Sequence, residues 1–240
     1  MSENYFQFRQ FIIFQDKCSM KVTTDGVLLG AWADTQNINR ALDVGTGSGL
    51  IALMIAQRSE ALIDAVEIDP PACRQACENA DRSPWKDRIR IYPLTFQQFV
   101  SISTEKYDLI ISNPPFFRNA LKSPDMRRSE ARHELSLTHE ELLKIAATLL
   151  TPRGRLCVIL PYPEKDNFPE LASIYGLHMQ RVTAVKTTPH VSFSRILMSF
   201  GSLPASRTER TELVIHQADG TYSKEYIEIT RNFYLYFAGT

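Results

Sequence analysis

Ala41-Leu42-Asp43-Val44-Gly45-Thr46-Gly47-Ser48-Gly49-Leu50 decides the fold. Its first four residues read as the end of a buried strand, and the apolar run from Leu50 to Ala56 as the opening of a helix. Three glycines at alternate positions therefore fall in a strand-to-helix turn. There the backbone can bend sharply, no Cβ fends off a ligand, and the helix start presents unpaired N–H groups, so a polar ligand can lie directly on the main chain. The dinucleotide fingerprint needs its third glycine at position 50, where this chain has Leu50, and the spacing disfavours NAD. A turn that only packs a helix against a sheet is the plain alternative.

About twenty residues further on, Leu62 to Asp69 reads as a second strand ending in acids. Glu67 is placed to accept both hydroxyls of a ribose. Asp69, just before Pro70-Pro71, fits the N-cap of the next helix. A third apolar run, Tyr107 to Ser112, ends in Asn113-Pro114-Pro115-Phe116, at the rim of an open α/β sheet where ligands bind. Two prolines remove two N–H groups and restrict the chain, so the Asn113 side-chain carbonyl and the Pro114 main-chain carbonyl can face a ligand as fixed acceptors. Two acceptors suit one NH₂ group, and Phe116 can stack on the ring that carries it. Here the alternative is a rigid proline turn that caps a strand.

These motifs together resemble the amino-methylating class I methyltransferases that use S-adenosylmethionine (SAM), and most closely the bacterial tRNA adenine-N6 methyltransferases acting on valine tRNA beside the anticodon. The resemblance runs over nearly the whole chain. It includes Thr24-Asp25-Gly26-Val27-Leu28-Leu29-Gly30-Ala31-Trp32, Ser83-Pro84-Trp85, Ala131-Arg132-His133 and a closing Tyr222-Ser223, Tyr226 and Phe233-Tyr234-Leu235. It implies an α/β, Rossmann-like fold with a seven-stranded, mostly parallel sheet and helices on both faces. One domain is expected over residues 1–240, with a hairpin and helix in 1–35 covering the cofactor site.

The cofactor residues it points to are Asp25, Asp43, Gly45, Gly47, Gly49, Glu67, Thr95, Phe96 and Asn113; the catalytic ones are Asn113, Pro114 and Phe116. At Thr95 the family commonly carries an acid for the SAM adenine, so Thr95 or the backbone near Phe96 has to replace it. Asp25 either closes over the methionine end of SAM or only caps the helix expected from Val27. Other amino groups suit the same turn: a protein glutamine, a DNA adenine or an rRNA guanine. A SAM- or RNA-binding module without catalysis is the non-enzymatic alternative.

At 240 residues and 44% apolar content the chain can bury a full sheet and its helices. No stretch reads as a secretion signal or a membrane span, and a cytoplasmic protein is expected. Cys18, Cys73, Cys77 and Cys157 lack metal-site spacing, so free thiols and no metal are expected. The 27 basic and 27 acidic residues cancel, which leaves a local patch as the way to hold tRNA. Arg118, Lys122, Arg127, Arg128 and Arg132 follow the catalytic turn and are candidates for phosphate contacts; a solvated loop is the alternative reading. The remaining strands are expected at Ile89–Tyr92, Arg155–Leu160, His178–Lys186 and Arg195–Phe200, with Leu213-Val214-Ile215 as an edge addition and 202–211 as a loop. Leu142 to Leu150 should be a helix.

Overall fold

The computed structural model describes residues 4–18, 20–114 and 137–236. The expected base-stacking Phe116 and phosphate-binding Arg118, Lys122, Arg127, Arg128 and Arg132 lie outside them, as does Ala131-Arg132-His133.

Strands β1 (Tyr5–Gln7) and β2 (Ile12–Phe14) form an antiparallel hairpin, followed by helix α1 (Thr24–Trp32). The alternating units follow: β3 (Arg40–Val44), α2 (Leu50–Arg58), β4 (Leu62–Val66), α3 (Pro70–Asp81), β5 (Ile89–Tyr92), α4 (Phe96–Ile102) and β6 (Tyr107–Ser112). After the undescribed segment come α5 (His139–Leu149), β7 (Leu150–Pro161), α6 (Asn167–Ile174), β8 (His178–Lys186), β9 (Arg195–Gly201), β10 (Glu209–Val214) and α7 (Lys224–Thr230).

The main sheet has eight strands in the order β10-β8-β9-β7-β6-β3-β4-β5, and β9 is antiparallel to both its neighbours. The eighth strand is the edge addition expected at Leu213-Val214-Ile215, and it starts four residues earlier than expected. β10 pairs with β8 through six residues and begins at Glu209, inside the stretch read as a loop. Four of its six residues are charged or polar and exposed, which is why its alternation is faint in the sequence and why it suits an edge. β7 also starts earlier than expected, at Leu150, and runs through Pro152 and Gly154; its register slips between the Tyr107 and Leu109 pairings.

Central strands read as unbroken apolar runs because both faces are covered. In β6, Leu109 and Ile111 enter the core beneath α1 and α2, whereas Ile110 enters the one beneath α5 and α6. Helix starts follow side-chain capping. Thr138 and Glu141 form a capping box that sets α5 at His139, three residues before the expected Leu142. Asp69 caps α3 as expected, accepting from Ala72 N at 3.2 Å with prolines in the first turn.

Segments that narrow the family have structural work in the fold. Trp85 sets its ring edge on Phe11 of the N-terminal hairpin at 5.8 Å. Tyr222 lies between His216 and Tyr226 in a three-ring stack, at 4.6 and 5.1 Å. All four cysteines are free.

Candidate functional site

The rim formed by the carboxyl ends of β3, β4, β5 and β6 holds a cleft of about 280 Å³. Each wall comes from one of the loops singled out in the sequence. Gly45, Thr46, Gly47 and Ser48 follow β3, Glu67, Ile68 and Asp69 follow β4, Leu94 to Gln97 follow β5, and Asn113 and Pro114 follow β6. The N-terminal segment supplies Cys18, Met20, Lys21, Thr23 and Gly26.

The glycine loop is shaped by backbone conformation. Gly45, Gly47 and Gly49 have φ of 74°, 59° and 83°, the left-handed region that a side chain strains. A Cβ at Gly45 or Gly47 would meet nothing within 4 Å, so both face open space in the cleft. Gly49 does not line the cleft; it caps α2 and a Cβ there would sit 3.5 Å from Ala76 of α3. Its glycine serves the turn and the helix packing. The loop is tied to β4 by Gly45 N and Thr46 N, which donate to Val66 O at 3.0 and 3.1 Å.

Glu67 is the second fastening. Gly47 N donates to its Oε2 at 2.8 Å and Asp69 N to its Oε1 at 2.8 Å. A carboxylate oxygen has two lone-pair directions, so each oxygen keeps one for a ligand hydroxyl. This geometry has the acceptor capacity for a ribose diol.

Asp43 lies beneath the loop, outside the cleft. It is buried, with Thr46 Oγ1 and Ala52 N donating to Oδ2 at 2.6 and 3.1 Å. Its Oδ1 has no hydrogen-bond partner, and burial raises the carboxyl from its ordinary 3.8 to about 7. Nearby Glu67 adds to the rise, whereas the bonds from Thr46 and Ala52 oppose it. Asp43 is thus placed to hold the loop rather than to touch a ligand.

Asp25 also departs from both of its expected roles. Thr23 caps α1, accepting from Gly26 N at 3.2 Å, and the helix starts at Thr24, not Val27. Asp25 points away from the cleft and accepts from Arg195 Nε at 2.7 Å. Thr95 and Phe96 do line the cleft. The Thr95 hydroxyl is already engaged, accepting from Gln98 N at 3.0 Å in a capping box that starts α4. Gln97, which the sequence reading missed, lines the same wall, and its amide donates to Glu141 Oε1 at 3.0 Å. No spacing rule marks such a residue, because the contact joins α4 to α5 across 44 positions.

Helix α3 connects the N-terminal segment to the glycine loop. Asn79, almost fully buried, donates to Ser48 O at 2.8 Å and Phe14 O at 2.9 Å, and accepts from Phe14 N at 2.9 Å. Gln75 accepts from Lys17 N at 3.0 Å. One helix face therefore sets the hairpin and the loop relative to each other. Asn113 and Pro114 leave β6 where Ser112 Oγ donates to Val44 O at 2.8 Å, fixing the Asn113-Pro114 turn beside the start of the glycine loop.

Residues 26–176 match the methyltransferase small domain family. The chain is 46% identical over 236 residues to the tRNA1(Val) (adenine(37)-N6)-methyltransferase of Bacteroides fragilis strain YCH46, covering 98% of this chain and 99% of that one. It is 42% identical to the protein of the same name from Escherichia fergusonii, covering 98% and 97%. Among solved structures, a predicted O-methyltransferase from Agrobacterium tumefaciens superposes with a TM-score of 0.67 at 17% identity, over 90% of this chain and 100% of that one, a likeness of fold alone. A small-domain match inside an end-to-end likeness at 46% identity means that this chain belongs to the tRNA1(Val) (adenine(37)-N6)-methyltransferase family.

Proposed function

We propose that this protein transfers a methyl group from SAM to the exocyclic N6 of adenine 37 in tRNA1(Val). The observation that carries the reading is the placement of Asn113 and Pro114 on the same cleft as Gly45, Gly47 and Glu67. An amine acceptor and a nucleoside cradle thereby share one space.

The cleft fits SAM by its own chemistry. Gly45 and Gly47 leave room for a ligand against the main chain, Glu67 retains acceptor capacity for ribose hydroxyls, and Ile68, Leu94, Phe96 and Leu137 offer apolar surface to a purine. When bound, SAM supplies a methyl group already activated by its sulfonium charge. The protein's task is then placement, and orientation can contribute about 7–11 kcal/mol. Asn113 and the Pro114 carbonyl accept from the adenine NH₂, which turns the nitrogen lone pair toward the methyl. No histidine or lysine is needed to remove a proton before attack, because the proton can leave after the nitrogen becomes cationic.

Phe116 is proposed to stack on the extruded base, and Arg118, Lys122, Arg127, Arg128 and Arg132 to contact phosphates of the tRNA. Residues 1–35 are proposed to cover the cofactor as part of a single domain. A tRNA substrate makes this a cytoplasmic enzyme; no helix among the described residues is long and apolar enough to cross a membrane. Incubation with methyl-labelled SAM and separate pools of tRNA, rRNA, DNA and protein tests the reading. Label in the tRNA pool, released as N6-methyladenosine, supports it. Label confined to any other pool refutes it.

A further inference from the structure

The catalytic turn opens at the foot of a taller part of the sheet. Ser112, the last residue of β6, pairs with Val158, whereas β7 continues through Ile159, Leu160 and Pro161. At about 3.3 Å per residue those three residues raise the neighbouring strand roughly 10 Å above the end of β6. β9 and β8 rise with it, since Pro161 pairs with Arg195 and Arg195 with Val185. The β8–β9 connection, residues 187–194, stands higher still.

Two aromatic rings stand on this wall. Tyr162, directly after β7, and Phe193, in the β8–β9 connection, have ring centroids 5.0 Å apart, tilted by 32°. Lys186 places its Nζ 5.1 Å from the Phe193 centroid. Both rings are only half-buried and border a hollow of about 450 Å³ floored by Val182, Ala184 and Ile196. Val191 at the tip is 48% exposed and His190 is exposed beside it. Lys186 lies 4.0 Å from Glu212 and Lys165 pairs with Asp166, and Arg210 also borders the hollow. The wall therefore offers a partner ring surface with cations beside it.

We infer that Tyr162 and Phe193 form a stacking platform for an unpaired RNA base next to the target adenine. The inference rests on the proposed tRNA reaction and adds a docking surface to it. Extruding one base into the cleft deprives its neighbours of a stacking partner, and single-stranded RNA bases commonly regain one on aromatic side chains. The platform tops β7, the strand next to β6, on the side of the sheet reached by continuing from β6 to β7. Lys186, held over Phe193, adds a cation within reach of the same nucleotide.

The test uses the full chain with a tRNA1(Val) transcript, either unaltered or carrying an abasic residue on one side or the other of adenine 37. Phe193→Leu keeps apolar bulk and removes the ring. It should raise KM for the transcript about tenfold, as expected for one lost base–aromatic stack, with little change in SAM affinity. Phe193→Tyr should restore KM. Loss of the base on the platform side should cost the wild type a similar factor and cost Phe193→Leu little more, because both changes remove the same contact. Tyr162→Leu provides a second variant should Phe193→Leu fail to fold. Wild-type KM in both folded leucine variants, or an abasic penalty that adds in full to Phe193→Leu, overturns the platform alone. Failure of the wild type to methylate the transcript overturns the tRNA reading and the platform with it.

Discussion

Asp43→Asn should make the protein more stable at pH 8 and leave it nearly unchanged near pH 4. The folded carboxyl is enclosed and titrates near 7, whereas the unfolded chain ionises near the ordinary value of 3.8. Between those values the folded state holds a proton that the unfolded state has released. Stability therefore falls as pH rises through the window, by about 1.4 kcal/mol per unit and about 4 kcal/mol in all. Asparagine has the shape of the protonated acid, and its carbonyl can take the two donors, Thr46 Oγ1 and Ala52 N, that now serve Oδ2. Its NH₂ would occupy the place of Oδ1, which has no partner to lose. Urea unfolding at half-unit steps from pH 4 to 8, followed by tryptophan fluorescence, measures the difference between the two proteins and cancels groups that titrate alike in both. The gap should open from near zero to about 2–4 kcal/mol in favour of the variant. A gap that is flat across the window would refute the assignment of a buried, protonated Asp43.

Gly47→Val should fold yet lose measurable SAM binding in calorimetry, since it places a branched side chain in the open cleft at a φ of 59°; unchanged affinity in a folded variant contradicts the cradle. Glu67→Gln replaces one of two accepting oxygens with a donor that faces a main-chain N–H, and should weaken SAM about 10- to 100-fold through loss of a charge-assisted bond. Asn113→Ala should lower the single-turnover transfer rate far more than it weakens SAM binding; equal losses in both would place Asn113 in cofactor binding instead. An Arg127→Glu, Arg128→Glu double variant should flatten the salt dependence of tRNA binding by about 0.7–0.9 log units per log of salt for each lost phosphate contact, and an unaltered slope would show that the tRNA docks elsewhere.

The loops that build the cleft were legible because each obeys a local rule. Left-handed backbone demanded glycine at 45, 47 and 49, an acid at a strand end marked Glu67, and Asp69 before two prolines marked a cap. The strands Ile89–Tyr92, Tyr107–Ser112 and His178–Lys186 were found at their observed bounds; Tyr107–Ser112 is a central strand with a nearly continuous apolar run, whereas Ile89–Tyr92 at the sheet edge and His178–Lys186 next to β10 carry β-branched and apolar residues interleaved with polar ones. What escaped depends on partners distant in sequence. Asp25 resembles a cap, but its partner Arg195 is 170 residues away and Thr23 takes the cap. Asn79 and Gln75 look like ordinary polar helix residues until the hairpin is folded onto them. Gln97 lines the cleft and is held by Glu141 of α5, 44 positions away. Of strand β10 only the apolar end, Leu213-Val214, was legible as an edge addition; its first four residues are polar and exposed, which local pattern cannot separate from a loop.

The most direct test of the central claim is to map the methyl group on tRNA1(Val) after reaction with the purified protein and SAM. Nuclease digestion and mass spectrometry of an unmodified transcript should find one methyl group, on N6 of adenine 37, and a transcript with guanine at position 37 should remain unlabelled. A methyl group on any other nucleotide, or equal labelling of the guanine-37 transcript, would contradict the account.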